Sequence, residues 1–387
     1  MGAKIKVVGI GGGGNNAINR MIDVIQGVEF IAVNTDVQDL GESKADIKLA
    51  IGDKTTKGLG SGGDPRTGQN SAEESKDMIR EALKGADLVF ITAGMGGGTG
   101  TGASPIVAMV ARELGIMCVG VVTKPFAFEG RHRMRNAEIG ISNLSKFVDC
   151  NIVIPNQKLV DITKTNTTVV QAFKIADSVL IDGVRCITDL IMKNMTINID
   201  FADIASIMRN SGLAHMGIGR ASGEGRLLKA IQQAISSPIL ETSIKNASQV
   251  IMSVTGGSDL TLQEVHTYGT LVKDVLDENC NIIFGADLDK KHDNEVQIII
   301  IATGFPDSRM TQQVPIQPPK NVPTQAAPAA VSAAPTTQRQ TVMATIQKPT
   351  VPTPKIPVET IHDPDNRPDD SGLPLYIRKL RDSNRPT

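Results

Sequence analysis

The chain has no tryptophan, only two tyrosines and nine phenylalanines in 387 residues, and no excess of either charge, its formal net charge being −1. With so few aromatics the stacking platforms of single-strand binders have little material, and without a basic field nothing holds a phosphate backbone. Nucleic acid is therefore not an expected partner. Cysteine is scarce too: four residues, at 118, 150, 186 and 280, none in a C-x-x-C pair. This spacing removes a disulfide framework and structural zinc, and reads as small buried hydrophobes in a reducing compartment. No apolar run approaches the roughly 20 residues of a membrane span. The strand pattern Ile5 to Ile10 starts almost at Met1, which leaves no room for a signal peptide. The expected location is the cytoplasm, with no insertion into a membrane. The histidines at 132, 215, 266, 292 and 362 are dispersed without metal-ligand spacing, so each reads as structural.

Glycine is what the chain has in quantity, 37 residues, and its use is concentrated. Gly94, Met95, Gly96, Gly97, Gly98, Thr99, Gly100, Thr101, Gly102 and Ala103 follow the apolar run Leu88 to Thr92 and precede the helix-like stretch Ser104 to Leu114. A buried strand, a glycine loop and a helix start make a phosphate cradle. Glycines let backbone N–H groups approach anionic oxygens, the two threonines add hydroxyl donors, and the helix turns its positive end to the ligand. The loop lacks the Lys-Ser or Lys-Thr pair of a Walker A motif, so another cation or donor has to replace that lysine. A second loop, Gly11, Gly12, Gly13, Gly14, Asn15 and Asn16, joins the strand Lys4 to Ile10 to the helical pattern Ala17, Ile18, Met21, Ile22. Gly9, Gly11 and Gly14 fit G-x-G-x-x-G, and the strand Phe30 to Val33 ends near Asp36, where a ribose-binding acid would sit. A nicotinamide oxidoreductase is thus the rival reading. The extra glycines and the second, richer loop point instead to a mononucleotide triphosphate gripped from both sides.

Between the two loops, the glycine-rich stretch Thr55 to Glu74 reads as a mobile loop or a plain surface connection, with a helix over Ala72 to Leu83. Strands at Leu88 to Thr92, Val119 to Thr123 and Cys150 to Ile154 alternate with helical patterns, the rhythm of a doubly wound parallel sheet. Pro125 to Arg133 opens another helix in which Glu129 and Arg133 are four apart. A surface salt bridge explains them; so does a site in which Glu129 accepts ribose hydroxyls and Arg133 supplies the missing positive charge. From about Val169 to Lys193 apolar residues repeat at three- and four-residue intervals, the pattern of a buried central helix. Phe173 and Asp177 share one face near its start. A ring can stack on a purine, and a carboxylate accepts from guanine N1–H and the 2-amino group, which predicts guanine over adenine. Core packing and a solvated acid are the plainer uses of the same pair. Asp200 and Asp203, three apart at the start of another helix, are explained by capping on spacing alone. The remaining folded part reads as a smaller α+β layer of four strands and two helices without a catalytic cluster. Thirteen of the twenty prolines fall between Pro306 and Pro368, in a stretch expected to be a disordered tether. It ends in the apolar and basic cluster Leu373 to Leu380, a docking motif or chance hydrophobicity near a terminus.

Assembled, these residues resemble the tubulin/FtsZ GTPase family from Lys4 to Phe305 and again at the terminal peptide. Gly94 to Ala103 is similar to the family's signature loop, and Gly11 to Asn16, Pro125 to Arg133, Asn198 to Asp203 and Leu213 to Gly217 match in the same order. The resemblance implies a Rossmann-like GTP-binding domain over 1–168, a central helix over 169–196 and an α+β domain over 197–305. A linker over 306–370 and a partner-binding peptide over 371–387 would follow. It implies binding of GTP and GDP with Mg²⁺ and head-to-tail homopolymers that form a division ring on the inner face of the membrane. The terminal peptide, whose Pro-Leu-Tyr-Ile-Arg-Lys core follows the family pattern loosely, would recruit membrane-tethering and regulatory proteins. The nucleotide contacts it implies are Gly11, Gly12, Gly13, Gly14 and Asn15, with Gly94, Gly96, Gly97, Gly98, Thr99, Gly100, Thr101 and Gly102. Glu129 and Arg133 fall to ribose and phosphate, and Asn156, Phe173 and Asp177 to guanine. Asn198, Asp200 and Asp203 would lie in a loop, 196–203, that completes the next subunit's active site. Such a site would leave an isolated subunit slow, because the glycine loops contain no evident water-activating base. A nicotinamide oxidoreductase and a nucleotide-binding scaffold that never turns over remain the alternatives.

Overall fold

The computed structural model describes residues 2–160, 166–193, 200–240, 244–261, 263–264, 276, 279–288 and 294–305. Asn198, residues 194–196 of the expected central helix, most of the helix expected over Leu262 to Leu276, His266, His292, His362, the linker and the terminal peptide lie outside the described residues.

Apolar runs buried on both faces make the strands of the first half, as a parallel sheet covered on two sides requires. In chain order the first half contains β1 (Ile5–Ile10), α1 (Gly11–Met21), β2 (Glu29–Asn34), α2 (Val37–Gly41), β3 (Ile47–Ala50), α3 (Asp53–Thr56) and α4 (Pro65–Glu74). It continues with α5 (Lys76–Leu83), β4 (Leu88–Gly94), α6 (Thr99–Glu113), β5 (Met117–Lys124), α7 (Arg131–Leu144), β6 (Cys150–Pro155) and α8 (Asn156–Val160). Then come α9 (Val169–Met192), α10 (Phe201–Met208), β7 (Gly212–Ser222), α11 (Arg226–Ile235), β8 (Gln249–Gly256), β9 (Asn281–Leu288) and β10 (Glu295–Thr303).

The parallel part has the order β3-β2-β1-β4-β5-β6. The chain leaves β1 toward one edge and returns to build from β4 toward the other, so the sheet switches direction between β1 and β4. In such sheets ligands bind outside the carboxyl ends of the strands at that point. Both glycine-rich loops begin there, one after Ile10 and the other after β4. The strand β7 belongs to two sheets. Gly212 to Ala214 run parallel to Cys150 to Ile152 of β6, and His215 to Ser222 pair antiparallel with β10. Beyond β10 come β8, antiparallel to it, and β9, parallel to β8.

One face of the parallel sheet, with Val7, Phe90, Val121 and Ile152, packs with α1 and α9, and Ile251 and Ile301 of the second sheet join the same core. The opposite face is covered by α5, α6 and α7. The α9 helix starts at Thr168, whose hydroxyl accepts the Gln171 N–H while the Gln171 side chain accepts the Thr168 N–H. It ends at Met192, where Lys193 turns extended and pairs with Asp189 at 2.8 Å and Asp287 at 3.1 Å.

Three local expectations change. The stretch read as a loop over Thr55 to Glu74 contains α4, capped by Asp64, started by Pro65 and packed on α6. Helix α6 begins at Thr99, inside the glycine loop, and α1 begins at Gly11, so the second half of Gly94 to Ala103 and the whole of Gly11 to Asn16 are helix N-terminus. Tertiary anchoring on buried strands outweighs the poor helix propensity of glycine at both places. Cys118, Cys150 and Cys186 are buried as expected, and burial raises all three thiols, that of Cys150 to about 12; Cys280 is half-buried.

Candidate functional site

The two glycine-rich starts back onto each other. Gly11 has φ +70°, and a Cβ built on it would fall 2.9 Å from the Gly100 nitrogen. Only glycine lets α1 and α6 begin in contact, with their free first-turn N–H groups opening on one space. On the far side of α6 a Cβ at Gly102 would lie 1.9 Å from the Pro65 carbonyl oxygen, so that α4 is seated against the α6 start. The opening between the loops is a cavity of about 620 Å³. Its wall includes Gly11, Gly12, Gly13, Gly94, Gly97, Gly98, Thr99 and Gly100, together with Glu129, Arg133, Asn156, Phe173 and Asp177.

Five of the residues expected to touch nucleotide stand behind that wall. Gly14 packs under the helix, where its Cβ would meet the Thr92 carbonyl at 2.5 Å. Asn15 is 2% exposed, and neither end of its amide has a partner; its neighbour Asn16 is the one on the wall. The Thr101 hydroxyl is turned into the loop, accepting the Gly96 N–H at 2.8 Å, so this threonine and Gly96 shape the cradle rather than face it. Gly102 is the seat for α4. The expected nucleotide contacts also left out wall residues, chiefly Asn16, Arg20, Ser61 and Gly63. The signal for Arg20 was present: it lies on α1 one turn after Asn16, on the helix that starts in the phosphate loop.

One end of the cavity suits a base. Phe173 stands edge-on to Phe126 and Phe128, with centroids 5.3 and 6.3 Å away, and those two rings stack on each other at 5.1 Å. Three of the chain's nine phenylalanines therefore meet here, and Phe173 is the one that lines the cavity. Asp177, with a side chain 15% exposed, has Arg20 at 3.4 Å. Burial pushes its carboxyl up to about 6, and the Arg20 charge offsets part of that rise. Asn156 Oδ1 is buried without a partner, an acceptor that a ligand donor would satisfy. Glu129 is held from two sides: Oε1 accepts the Phe126 N–H at 2.9 Å and Oε2 accepts from Arg133 at 2.6 Å. The salt bridge expected of a surface pair is present, and both residues line the cavity.

The other end is rich in donors. Thr99 and Ser61 hydroxyls stand beside the first-turn N–H groups of α6. Among the described residues no lysine lines the wall; its cations there are Arg20 and Arg133. Asp36, the acid a dinucleotide enzyme would place on a ribose, instead caps α2 by accepting the Gln38 and Asp39 N–H groups, and is absent from the wall.

Asp200 and Asp203 are far from this cavity. From Asp177 to the end of α9 the helix climbs roughly 22 Å at about 1.5 Å per residue. The chain then passes through α10 into the amino end of β7, beside Cys150 at the amino end of β6. Asp200 sits at the N-cap position of α10 yet its carboxylate makes no capping hydrogen bond; Asp203 is in the first turn, and both are exposed. Among the described residues no cluster of three or more His, Cys, Asp or Glu side chains is placed to hold a metal ion.

A doubly wound sheet with two glycine-rich helix starts at its switch point, a base end carrying a carboxylate, and a second sheet joined through a shared strand defines a guanine-nucleotide GTPase of the tubulin type. The model of the Tubulin/FtsZ family, GTPase domain, matches residues 4–164, and that of the FtsZ family, C-terminal domain, matches residues 212–306. An empty FtsZ dimer from M. jannaschii is 44% identical, with a TM-score of 0.76 over 79% of this chain and 89% of that one. Two Haloferax volcanii proteins share the fold at lower identity. A GDP-bound CetZ1 monomer has a TM-score of 0.67 at 19% identity, over 80% of this chain and 98% of that one. A CetZ2 protofilament with GTPγS has 0.65 at 18%, over 77% and 92%. The chain belongs to the FtsZ family within the tubulin/FtsZ GTPases. GTP binding, GTP hydrolysis and a place in cell division follow from that membership, and the nicotinamide alternative falls. Among the described residues no helix is long and apolar enough to cross a membrane.

Proposed function

We propose that this chain hydrolyses GTP at a site shared between consecutive subunits of a head-to-tail filament, and that such filaments build the division ring. The observation that carries this reading is the placement of Asp200 and Asp203. They are exposed, neither carboxylate has a partner among the described residues, and they precede the amino end of β7, whereas the cavity lies at the carboxyl ends of the strands. A carboxylate left in water at one end of a subunit, with a phosphate cradle at the other, suits a contact that repeats without closing. The M. jannaschii FtsZ relative is described as a dimer, which supports self-association.

Among the described residues of one subunit the phosphate end has no base: the two carboxylates they bring to the wall are Glu129, tied to Arg133 and the Phe126 N–H, and Asp177, beside Arg20 at the base end. Asp200 and Asp203, with Asn198, polarise the attacking water on the next subunit's nucleotide. Gly11 to Gly13, Gly94 and Gly97 to Gly100 cradle the phosphates; Gly14, Asn15, Gly96, Thr101 and Gly102 hold that cradle in shape. Glu129 and Arg133 take ribose and phosphate, and Asn156, Phe173 and Asp177 take guanine. The donor set at the phosphate end is hydroxyls and amides, which fits Mg²⁺ carried on phosphate oxygens and waters rather than in a carboxylate cage. When bound, the ion neutralises developing phosphate charge.

The same reading assigns 1–168 to nucleotide binding, 169–196 to the connecting helix and 197–305 to the module that carries the acids. The proline-rich 306–370 is a tether, and 371–387 the peptide that brings membrane-linked division proteins to the filament, which stays on the inner face of the membrane. The test is phosphate release with GTP and Mg²⁺ across protein concentrations, with ATP as control. Specific activity should rise from near zero above a threshold, for GTP alone. A rate per subunit independent of concentration would mean that each subunit carries a complete site.

A further inference from the structure

Thr35 is 1% exposed and does not line the cavity, yet it fastens two of the cavity's parts. Its carbonyl oxygen accepts the Gly60 N–H at 3.1 Å and the Thr56 hydroxyl at 3.3 Å, which ties down the segment 56–60 leading to Ser61. Its Oγ1 lies 2.6 Å from Thr99 Oγ1, and Ser61 Oγ lies 3.0 Å from that same Thr99 oxygen. A Cβ at Gly98 would fall 2.2 Å from Ser61 Oγ, so the loop reaches Thr99 only because residue 98 is glycine.

We infer that Thr35 and Ser61 are positioning residues that make the Thr99 hydroxyl a donor to the terminal phosphate and keep it out of the metal's coordination shell. A hydroxyl has one proton and two lone pairs. Two hydroxyls already stand at hydrogen-bond distance from Thr99 Oγ1, and neither has another hydrogen-bond partner. When an anion enters, the arrangement it favours is the one in which Thr35 and Ser61 both donate to Thr99. Both lone pairs are then filled, and the Thr99 proton is left facing the cavity. In that state Thr99 has no lone pair for Mg²⁺. Ser61 stands beside Thr99 on the wall, at the α1 start that touches Gly100, whereas Asp177 pairs with Arg20 roughly 13 Å farther along α1, so the phosphate concerned is the one farthest from the base. The inference rests on the assignment of this end of the cavity to the phosphates.

The experiment is equilibrium binding of GTPγS, GDP and GMP, with Mg²⁺, to the full chain and to Thr35→Val, Thr35→Ser and Ser61→Ala. Loss of an oriented, charge-assisted donor predicts roughly ten-fold weaker GTPγS binding for Thr35→Val and about three-fold for Ser61→Ala. GDP and GMP should change less than two-fold (roughly the scatter of a neutral contact), and Thr35→Ser should restore the original value. If Thr35→Val does not fold, Ser61→Ala on the surface loop gives the same test, with its about three-fold loss confined to GTPγS. Equal losses for GTPγS and GDP, or no change in any nucleotide, would overturn the hydroxyl assignment alone. A loss as large for GMP as for GTPγS would show that this end does not hold phosphate, and would take the underlying assignment with it. Thr99→Cys decides the metal question: turnover that shifts from Mg²⁺ toward Mn²⁺ or Cd²⁺ would make residue 99 a ligand and end the proposal.

Discussion

Asp177 and the pair Asp200 and Asp203 lie at opposite ends of the path that α9 spans, and the chain treats them in opposite ways. Asp177 is drawn into a cavity wall, deprived of water and given a cation at 3.4 Å. The other two are left in solvent without even the capping bond their position invites. A carboxylate that reads a base has to be fixed before the base arrives, and the cost of desolvating it is accepted in the single chain. A carboxylate that completes a neighbour's site gains nothing from being fixed alone. Under the proposed function it stays hydrated until a second subunit removes the water.

The largest expected effect tests the solvent-exposed end. Asp203→Ala should bind GTP as the parent does and lose on the order of a hundred-fold or more in turnover, the usual worth of a positioned base. Mixed with a chain whose own cavity is disabled, it should recover activity only at junctions where an intact acid meets an intact cradle. Weak GTP binding by Asp203→Ala would mean that the residue serves its own subunit, and the contrast between the two ends would collapse.

The next effect tests the buried end. Asp177→Asn replaces an acceptor pair by an acceptor and a donor, so guanine N1–H or its 2-amino group loses its partner. Affinity for GTP should fall roughly 30- to 100-fold, as expected when a buried polar group is left unpaired. XTP, whose 2-oxo group accepts where guanine donates, should regain much of that loss. Competition binding with GTP and XTP reads the exchange directly. Loss of both without preference would reduce Asp177 to a structural acid.

How much of this was legible in the residues depends on how local each feature is. The alternation of apolar runs with helical patterns was enough for a doubly wound sheet, and glycine density located both loops, because each of these signals is complete within about twenty residues. The helix starts at Gly11 and Thr99 were not legible, since glycine lowers local helix preference and Ser104 before Pro105 imitates a first turn. Helix α4 was missed for a related reason: four glycines just before it suggest a loop, while Asp64 and Pro65, a sound cap and first position, were passed over. Strand order, and with it the switch point, is set by pairings between segments up to about eighty residues apart and leaves no local trace. Arg20 escaped because its partner Asp177 is on another helix. The Thr35, Thr99 and Ser61 hydroxyls come from three separate segments, and only the folded chain brings them together.

A smaller effect concerns protons. The folded value of about 6 for Asp177 lies above its ordinary 3.8. Between those values the folded chain holds a proton that the unfolded chain does not. Through this group, therefore, the empty protein is penalised at neutral pH and relieved as the pH falls through about 6. Guanine needs the ionised form, so affinity should move the other way and be roughly ten-fold weaker at pH 5 than at pH 7. Calorimetry in buffers of different ionisation enthalpy should detect a proton released on binding near pH 6. Affinity that is flat across this range would remove Asp177 from base recognition.

The smallest effect separates Arg20 from the carboxylate it faces. Its charge is the one influence on Asp177 that opposes burial, and the arginine side chain is 41% exposed, so much of its effect is screened by solvent. Arg20→Gln should raise the Asp177 carboxyl further and move the acid limb of nucleotide affinity to higher pH by less than about one unit. At pH 7 this is a loss of only a few-fold, and Arg20→Lys should keep most of the original behaviour. High salt should narrow the difference between Arg20→Gln and the parent, because the pair it removes is screened. The outcome that would reassign Arg20 is a loss of the same factor at every pH. The guanidinium would then be touching the nucleotide itself, and the buried end of the comparison would rest on two groups that read the base instead of one acid held in place by a cation.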